Sequence, residues 1–236
     1  MILMNEFGKH WEKVQERIQA ACRRANRDPR EIGVVAVTKY SDVEDTARLL
    51  DLGLTHVGEN KVQDAVPKWK VLGDRGTWHF IGHMQRNKVK EIIGRFQYLH
   101  SLDRLSLAQE IDRRVRQKEA APLSCFLQVN VSGEESKFGI SPKELEEFAK
   151  EVANYSTIEV AGLMTMAPIV ENPEEVRPIF RELKRLQKQL QRLDQPRLRV
   201  PHLSMGMSQD FEIAIEEGAT WVRLGSVLVG GGKRGR

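Results

Sequence analysis

Short apolar runs alternate with amphipathic segments eight times along the chain, at 32–38, 56–59, 78–82, 97–101, 123–129, 158–164, 199–203 and 221–224. The first, Ile32-Gly33-Val34-Val35-Ala36-Val37-Thr38, is unbroken by polar alternation, as expected of a strand buried on both faces of a parallel sheet. The segments between the runs carry helix signals. Ser41-Asp42-Val43-Glu44 reads as a capping box opening a helix to Leu52, and Ser141-Pro142-Lys143-Glu144 reads as a start with proline at the first helical position. A third helix is expected over 172–193. Eight strand–helix alternations in 236 residues predict an α/β fold, a single-domain (β/α)8 TIM barrel spanning 1–236. An additional N-terminal helix, roughly 5–25 within the segment 1–27, has Val14, Ile18, Ala21 and Cys22 at helical spacing. The glycine-rich end, Gly230 to Arg236, is too poor a helix former to close the barrel. It is expected to be a flexible basic tail, its GxGxxG letters lacking the helix that a dinucleotide fingerprint requires.

Composition changes this picture little. Apolar residues make up 40% and charged residues 30%, with no linker-like stretch. A net charge of +4 is too small to imply nucleic-acid binding. Cys22 and Cys125 form no CxxC pair, which removes disulfide frameworks and cysteine zinc sites from consideration. Charges within the first helix exclude a signal peptide, and no 18-residue apolar stretch occurs, so a cytoplasmic protein that does not engage membranes is expected, with the sequons at Asn130 and Asn154 idle.

In such barrels the chemistry sits at the C-terminal ends of the strands. Those ends are Lys39, Glu59-Asn60, Gly82-His83, Met164-Thr165, Ser204 to Ser208, and Arg223 to Ser226. Lys39 stands out, because burial disfavours the charged form of an amine and the neutral form condenses with an aldehyde to a Schiff base. The loops after strands seven and eight are the recurrent phosphate site of this architecture. There Gly206 and Gly225 allow close approach, Ser208 and Ser226 offer hydroxyls, and Ser208-Gln209-Asp210-Phe211 opens a helix. Taken singly, either loop reads first as an ordinary N-cap at Ser208 or a turn at Gly225. A Schiff-base lysine facing a phosphate cradle points to pyridoxal 5'-phosphate. Arg223 suits the pyridine nitrogen, since a permanent cation there keeps the nitrogen unprotonated and the ring a weak electron sink.

The runs Val35-Ala36-Val37-Thr38-Lys39, Gly58-Glu59-Asn60, Trp78 to His83, Gly162 to Pro168, Ser204 to Phe211 and Arg223 to Ser226 resemble, in order, those of the pyridoxal phosphate homeostasis proteins, the YggS/PROSC family. Met84 stands where that family usually has leucine, and Val229 where phenylalanine is common. The resemblance implies a barrel similar to the N-terminal domain of alanine racemase, with pyridoxal phosphate on Lys39 and Arg223 at the ring nitrogen. It also implies Ser208, Gly225 and Ser226 around the phosphate, and Asn60, Met164, Ser204 and Met207 lining the pocket. It implies a role in cofactor homeostasis and amino-acid and keto-acid balance without turnover. The racemase's second domain, which carries its catalytic tyrosine and dimer contacts, has no counterpart here, so a monomeric carrier with no catalytic residues is expected. The alternative is a racemase or decarboxylase acting through the same lysine, or a cofactor-free lysine aldolase.

Three further signals are weaker. His79 and His83 lack a third ligand for zinc and read as a pocket-edge pair bonding to backbone. His202 reads as a satisfied core residue. Arg177, Arg181, Lys184, Lys188 and Arg192 form a basic stripe that reads either as a solvated face or as a dock for an acidic regulatory partner or a cofactor-accepting apoenzyme.

Overall fold

A computed structural model describes residues 2–134, 136–193 and 195–230; the expected tail beyond residue 230 lies outside the described residues. The strands β1 (Gly33–Val37), β2 (His56–Glu59), β3 (Thr77–Phe80), β4 (Tyr98–Leu102), β5 (Leu123–Gln128), β6 (Ile158–Met164), β7 (His202–Ser204) and β8 (Trp221–Leu224) pair in parallel, in chain order, as a closed barrel. The helices are α1 (Ile2–Arg24), α2 (Val43–Asp51), α3 (Val62–Leu72), α4 (Val89–Ile92), α5 (Leu105–Lys118), α6 (Leu145–Ala153), α7 (Arg177–Gln191), α8 (Phe211–Glu216) and α9 (Ser226–Val229). The predicted barrel and its leading helix are therefore present. β8 closes on β1 through Gly33–Trp221, Val34–Val222, Val35–Arg223 and Ala36–Leu224 pairs. Gly33 is required at this seam, because a Cβ there would lie 2.5 Å from the Trp221 indole.

Three local expectations need correction. The α2 cap is Asp42, whose Oδ1 accepts from the Asp45 N–H at 2.8 Å, and not Ser41. Residues 142–144 form a turn, with α6 starting at Leu145, so Pro142 precedes the helix instead of opening it. The seventh strand begins at His202 and not at 199, because Val200 takes a positive φ of 43° and Pro201 has no N–H for the ladder.

Two layers of side chains result from the strand alternation. Outward residues such as Ala36, Val57, Trp78, Leu99, Leu127 and Leu203 are fully buried against the helices. α1 covers the β8 side: Arg17 pairs with Glu212 at 3.0 Å, and Arg24 with Glu216 at 2.6 Å. Arg27 donates to the Ile215 and Ala219 carbonyls, each at 2.7 Å. Val176, just before α7, and Phe180, Leu183 and Leu190 on it form an apolar side that is buried as its spacing predicts.

Candidate functional site

The ends of the strands bring the expected site residues to one rim. Lys39 lies in the turn after β1, half-buried, with its Nζ 5.0 Å from the Tyr40 ring centre. Its segment is held from below by a buried pair that sequence reading did not find. Lys68 of α3 donates to the Thr38 carbonyl at 2.6 Å and to Glu59 Oε1 at 2.7 Å, and Thr38 Oγ1 donates to the same carboxylate at 2.5 Å. Burial pushes the Glu59 carboxyl up, opposed by the Lys68 charge. Of the two residues ending β2, Glu59 is thus a strut on the helix side of the sheet. Asn60 is half-buried, and its carbonyl passes so close to Gly82 that a Cβ there would lie 2.1 Å away.

Arg223 rises from the middle of β8 and is only 5% exposed. Its guanidinium donates to Ser204 Oγ at 2.6 Å and to the Thr165 carbonyl at 2.9 Å, the latter next to Met164 at the end of β6. Desolvation pushes the guanidinium down to about 10, and the Asp210 carboxylate acts in the opposite sense, so Arg223 is a cation at neutral pH. Asp210 itself is buried and pushed up by desolvation, while the Met207 N–H at 2.5 Å and the Arg223 charge stabilise its anion.

The cradle differs in detail from its expectation. The helix begins at Phe211 after Asp210, and residues 208–210 form a turn. Ser208 is therefore no cap. Its Oγ instead accepts from the Gly225 N–H at 3.2 Å, which ties the two loops together. Gly206 is buried at φ 92°, where a Cβ would fall 2.6 Å from that of Ala214, so its glycine serves packing against α8. At Gly225 a Cβ would make only ordinary contact with Val37, at 3.5 Å, so packing does not demand a glycine there. Ser226 is exposed at the start of α9, and Met207 is half-buried.

Beneath this rim lies a row of polar groups inside the barrel. His56 Nδ1 is 2.9 Å from His79 Nε2, His79 Nδ1 is 2.9 Å from His100 Nε2, and His100 Nδ1 is 2.8 Å from Ser204 Oγ. Burial holds His79 and His100 well below the usual imidazole range; the neighbouring His56 adds to this at His79, and His79 and Arg223 add to it at His100. His79 therefore bonds to other histidines and not to backbone. His83 is separate, stacked on Phe138 with ring centres 3.9 Å apart. His202 is not satisfied, since its Nδ1 is buried without a partner among the described residues. The signal for this row was available as strand alternation: His56 shares a face with Asn60, His202 with Ser204, and Trp221 with Arg223.

The chain belongs to the alanine racemase N-terminal domain family, whose model matches residues 10–233. Within that class the chain belongs to the pyridoxal phosphate homeostasis proteins. It is 44% identical to the Aquifex aeolicus protein of that name over 92% of this chain and 95% of the relative. Among solved structures, a protein of unknown function from Bifidobacterium adolescentis superposes with a TM-score of 0.91 at 30% identity, covering 96% of each chain. PipY from Synechococcus elongatus, solved with pyridoxal phosphate bound, superposes with a TM-score of 0.79 at 30% identity, covering 92% of this chain and 100% of PipY.

Proposed function

We propose that this chain binds pyridoxal 5'-phosphate through a Schiff base to Lys39 and acts as a carrier in cofactor homeostasis, and through it in amino-acid and keto-acid balance, without turnover. The observation that carries the reading is the sharing of one mouth by Lys39 and the buried cation Arg223 on paired strands, with the Ser208–Gly225 stitch beside them. The donor set fits the group. Arg223 commits one N–H each to Ser204 and Thr165 and retains others for a ring nitrogen. A Cβ at Gly225 would make only ordinary contact with Val37, and in the single turn of α9 the Leu228 and Val229 N–H groups donate to the Gly225 carbonyl, which leaves those of Ser226 and Val227 for a phosphate. The bound solved relative PipY supports the same reading.

When bound, the cofactor supplies the aldehyde carbon that an amine can capture and later release. Lys39 provides that amine from a half-buried position, where a competing amine can reach the same bond. Arg223, charged at neutral pH, would hold the ring nitrogen by donating to it and would disfavour a proton there, which would weaken the ring as an electron sink and favour storage over carbanion chemistry. Asn60, Met164, Ser204 and Met207 complete the wall. The carrier is one domain, acts in the cytoplasm and is a monomer; among the described residues no helix is long and apolar enough to cross a membrane.

The test is borohydride reduction of the cofactor-loaded protein followed by peptide mass mapping. The adduct is expected on Lys39 alone, with the visible absorbance lost in Lys39→Ala, and an adduct elsewhere overturns the reading. Exchange of amino-acid α-protons separates a carrier from a racemase or decarboxylase: sustained exchange that Lys39→Ala abolishes would establish catalysis.

A further inference from the structure

The row of histidines is costly to build. His79, His100 and Ser204 are fully buried, yet the β-strands spend three interior positions on imidazoles where apolar residues would fill the barrel. The ring nitrogens that face one another are used up in the row, and no cluster with metal-binding geometry occurs among the described residues. What distinguishes the row is where it ends. Its last member, Ser204 Oγ, is the oxygen that receives the Arg223 guanidinium.

The direction of every bond follows from that end. Arg223 can only donate, so Ser204 Oγ accepts from it. The Ser204 hydrogen then has one partner, His100 Nδ1, because no other acceptor bonds this hydroxyl among the described residues. Depressed basicity leaves His79 and His100 neutral, so each ring carries one N–H and one bare nitrogen. With Nδ1 bare, His100 carries its hydrogen on Nε2 and donates to His79 Nδ1; His79 in turn donates from Nε2 to His56 Nδ1. The reverse direction would have His100 and Arg223 both donate to Ser204 and leave its hydroxyl hydrogen buried without an acceptor, which costs free energy.

We propose that His100, His79 and His56, all as Nε2–H tautomers, form a one-way hydrogen-bond chain that positions Arg223 through Ser204, fixing how the guanidinium meets the cofactor ring. This rests on the reading of Arg223 as the ring-nitrogen partner. The histidines are positioning residues. Each donates away from the arginine, so the bonds polarise one another and make Ser204 Oγ a stronger acceptor for the cation. Thr165 pins the second guanidinium nitrogen, and the two anchors together hold the fork in one plane. The other charged or titratable groups facing the chain are Tyr98, stacked 4.4 Å over His79, His202 across Trp221, and Asp210, which acts on Arg223.

Two measurements test this. In 15N-labelled protein without cofactor, long-range proton–nitrogen spectra are expected to show a bare Nδ1 and a protonated Nε2 on all three histidines; a protonated Nδ1 on His100 overturns the proposal. In loaded protein, His100→Phe is expected to shift the pH titration of the Lys39-linked absorbance by about one unit, and Ser204→Ala by a similar amount. His100→Asn, whose amide oxygen can accept from Ser204, is expected to restore it, and the adduct stays on Lys39 in every variant. Should His100→Phe not fold, the Ser204→Ala and His100→Asn pair decides, and an unchanged titration in Ser204→Ala refutes the coupling. If no adduct forms on Lys39 in the native protein, it is the cofactor reading that fails, and the tautomer measurement still judges the chain.

Discussion

Gly206 shows how tightly single residues constrain the mouth. Its φ of 92° lies in a region that L side chains rarely adopt, and an added Cβ would sit 2.6 Å from that of Ala214 and 3.0 Å from the Phe211 Cα. Gly206→Ala therefore combines left-handed backbone strain with overpacking, for an expected loss of about 3 kcal/mol in urea denaturation. Because the Arg223 N–H donates to the Gly206 carbonyl at 3.0 Å, the same substitution is expected to disturb β8 and weaken cofactor retention. A fully stable variant would mean that α8 can move aside. The sequence flagged this glycine through the motif Ser204-Met205-Gly206-Met207-Ser208, but for phosphate approach; its contact with a helix across the loop is a fact of packing that linear spacing does not reveal. Ser208 is similar: its hydroxyl was legible as a polar group at the mouth, while its partner seventeen positions away at Gly225 was not.

At the scale of elements, α3 supports the end of β1 from outside the barrel. The Lys68–Glu59 pair is almost wholly enclosed, at 8% and 0% side-chain exposure, and Glu59 Oε2 has no partner among the described residues. Removing one member strands the other charge, so Lys68→Met is expected to cost about 3 kcal/mol or more and to loosen the Thr38–Lys39 backbone. The double variant Lys68→Met/Glu59→Leu is expected to recover most of that loss. Urea denaturation of the single and double variants measures the coupling, and additive losses would show that the pair does not act as a unit. α7 illustrates the limit of helix patterns. Its basic stripe was visible from spacing, yet Arg177 bonds Glu174, Glu216 and Glu217, and Arg181 bonds Glu217, so two of its five cations meet carboxylates of this same chain.

For the whole molecule, the buried histidines make stability depend on pH. The folded state holds His79 and His100 below their unfolded pKa of about 6.5, so the unfolded chain binds more protons as pH falls beneath that value. Stability is thus full above about pH 6.5 and falls below it, by up to about 1.4 kcal/mol per pH unit for each histidine. Glu59 and Asp210 act in the opposite sense, because their raised carboxyls favour folding at low pH and lose that contribution as pH rises through their own range. Comparing His79→Gln with the native protein by urea denaturation between about pH 5.5 and 7.5 isolates the imidazole, and a shallower acid-side dependence is expected in the variant. Equal slopes would show that His79 titrates normally. By itself the sequence determined the eight strands, the barrel and the residues at its mouth, because burial on both faces and a helix after each strand leave periodic traces in the order of residues. Closure of the barrel decided the rest. Which inward side chains meet across it, such as His100 with Ser204 at 104 positions' separation, depends on tilt, stagger and bulges that no local pattern encodes.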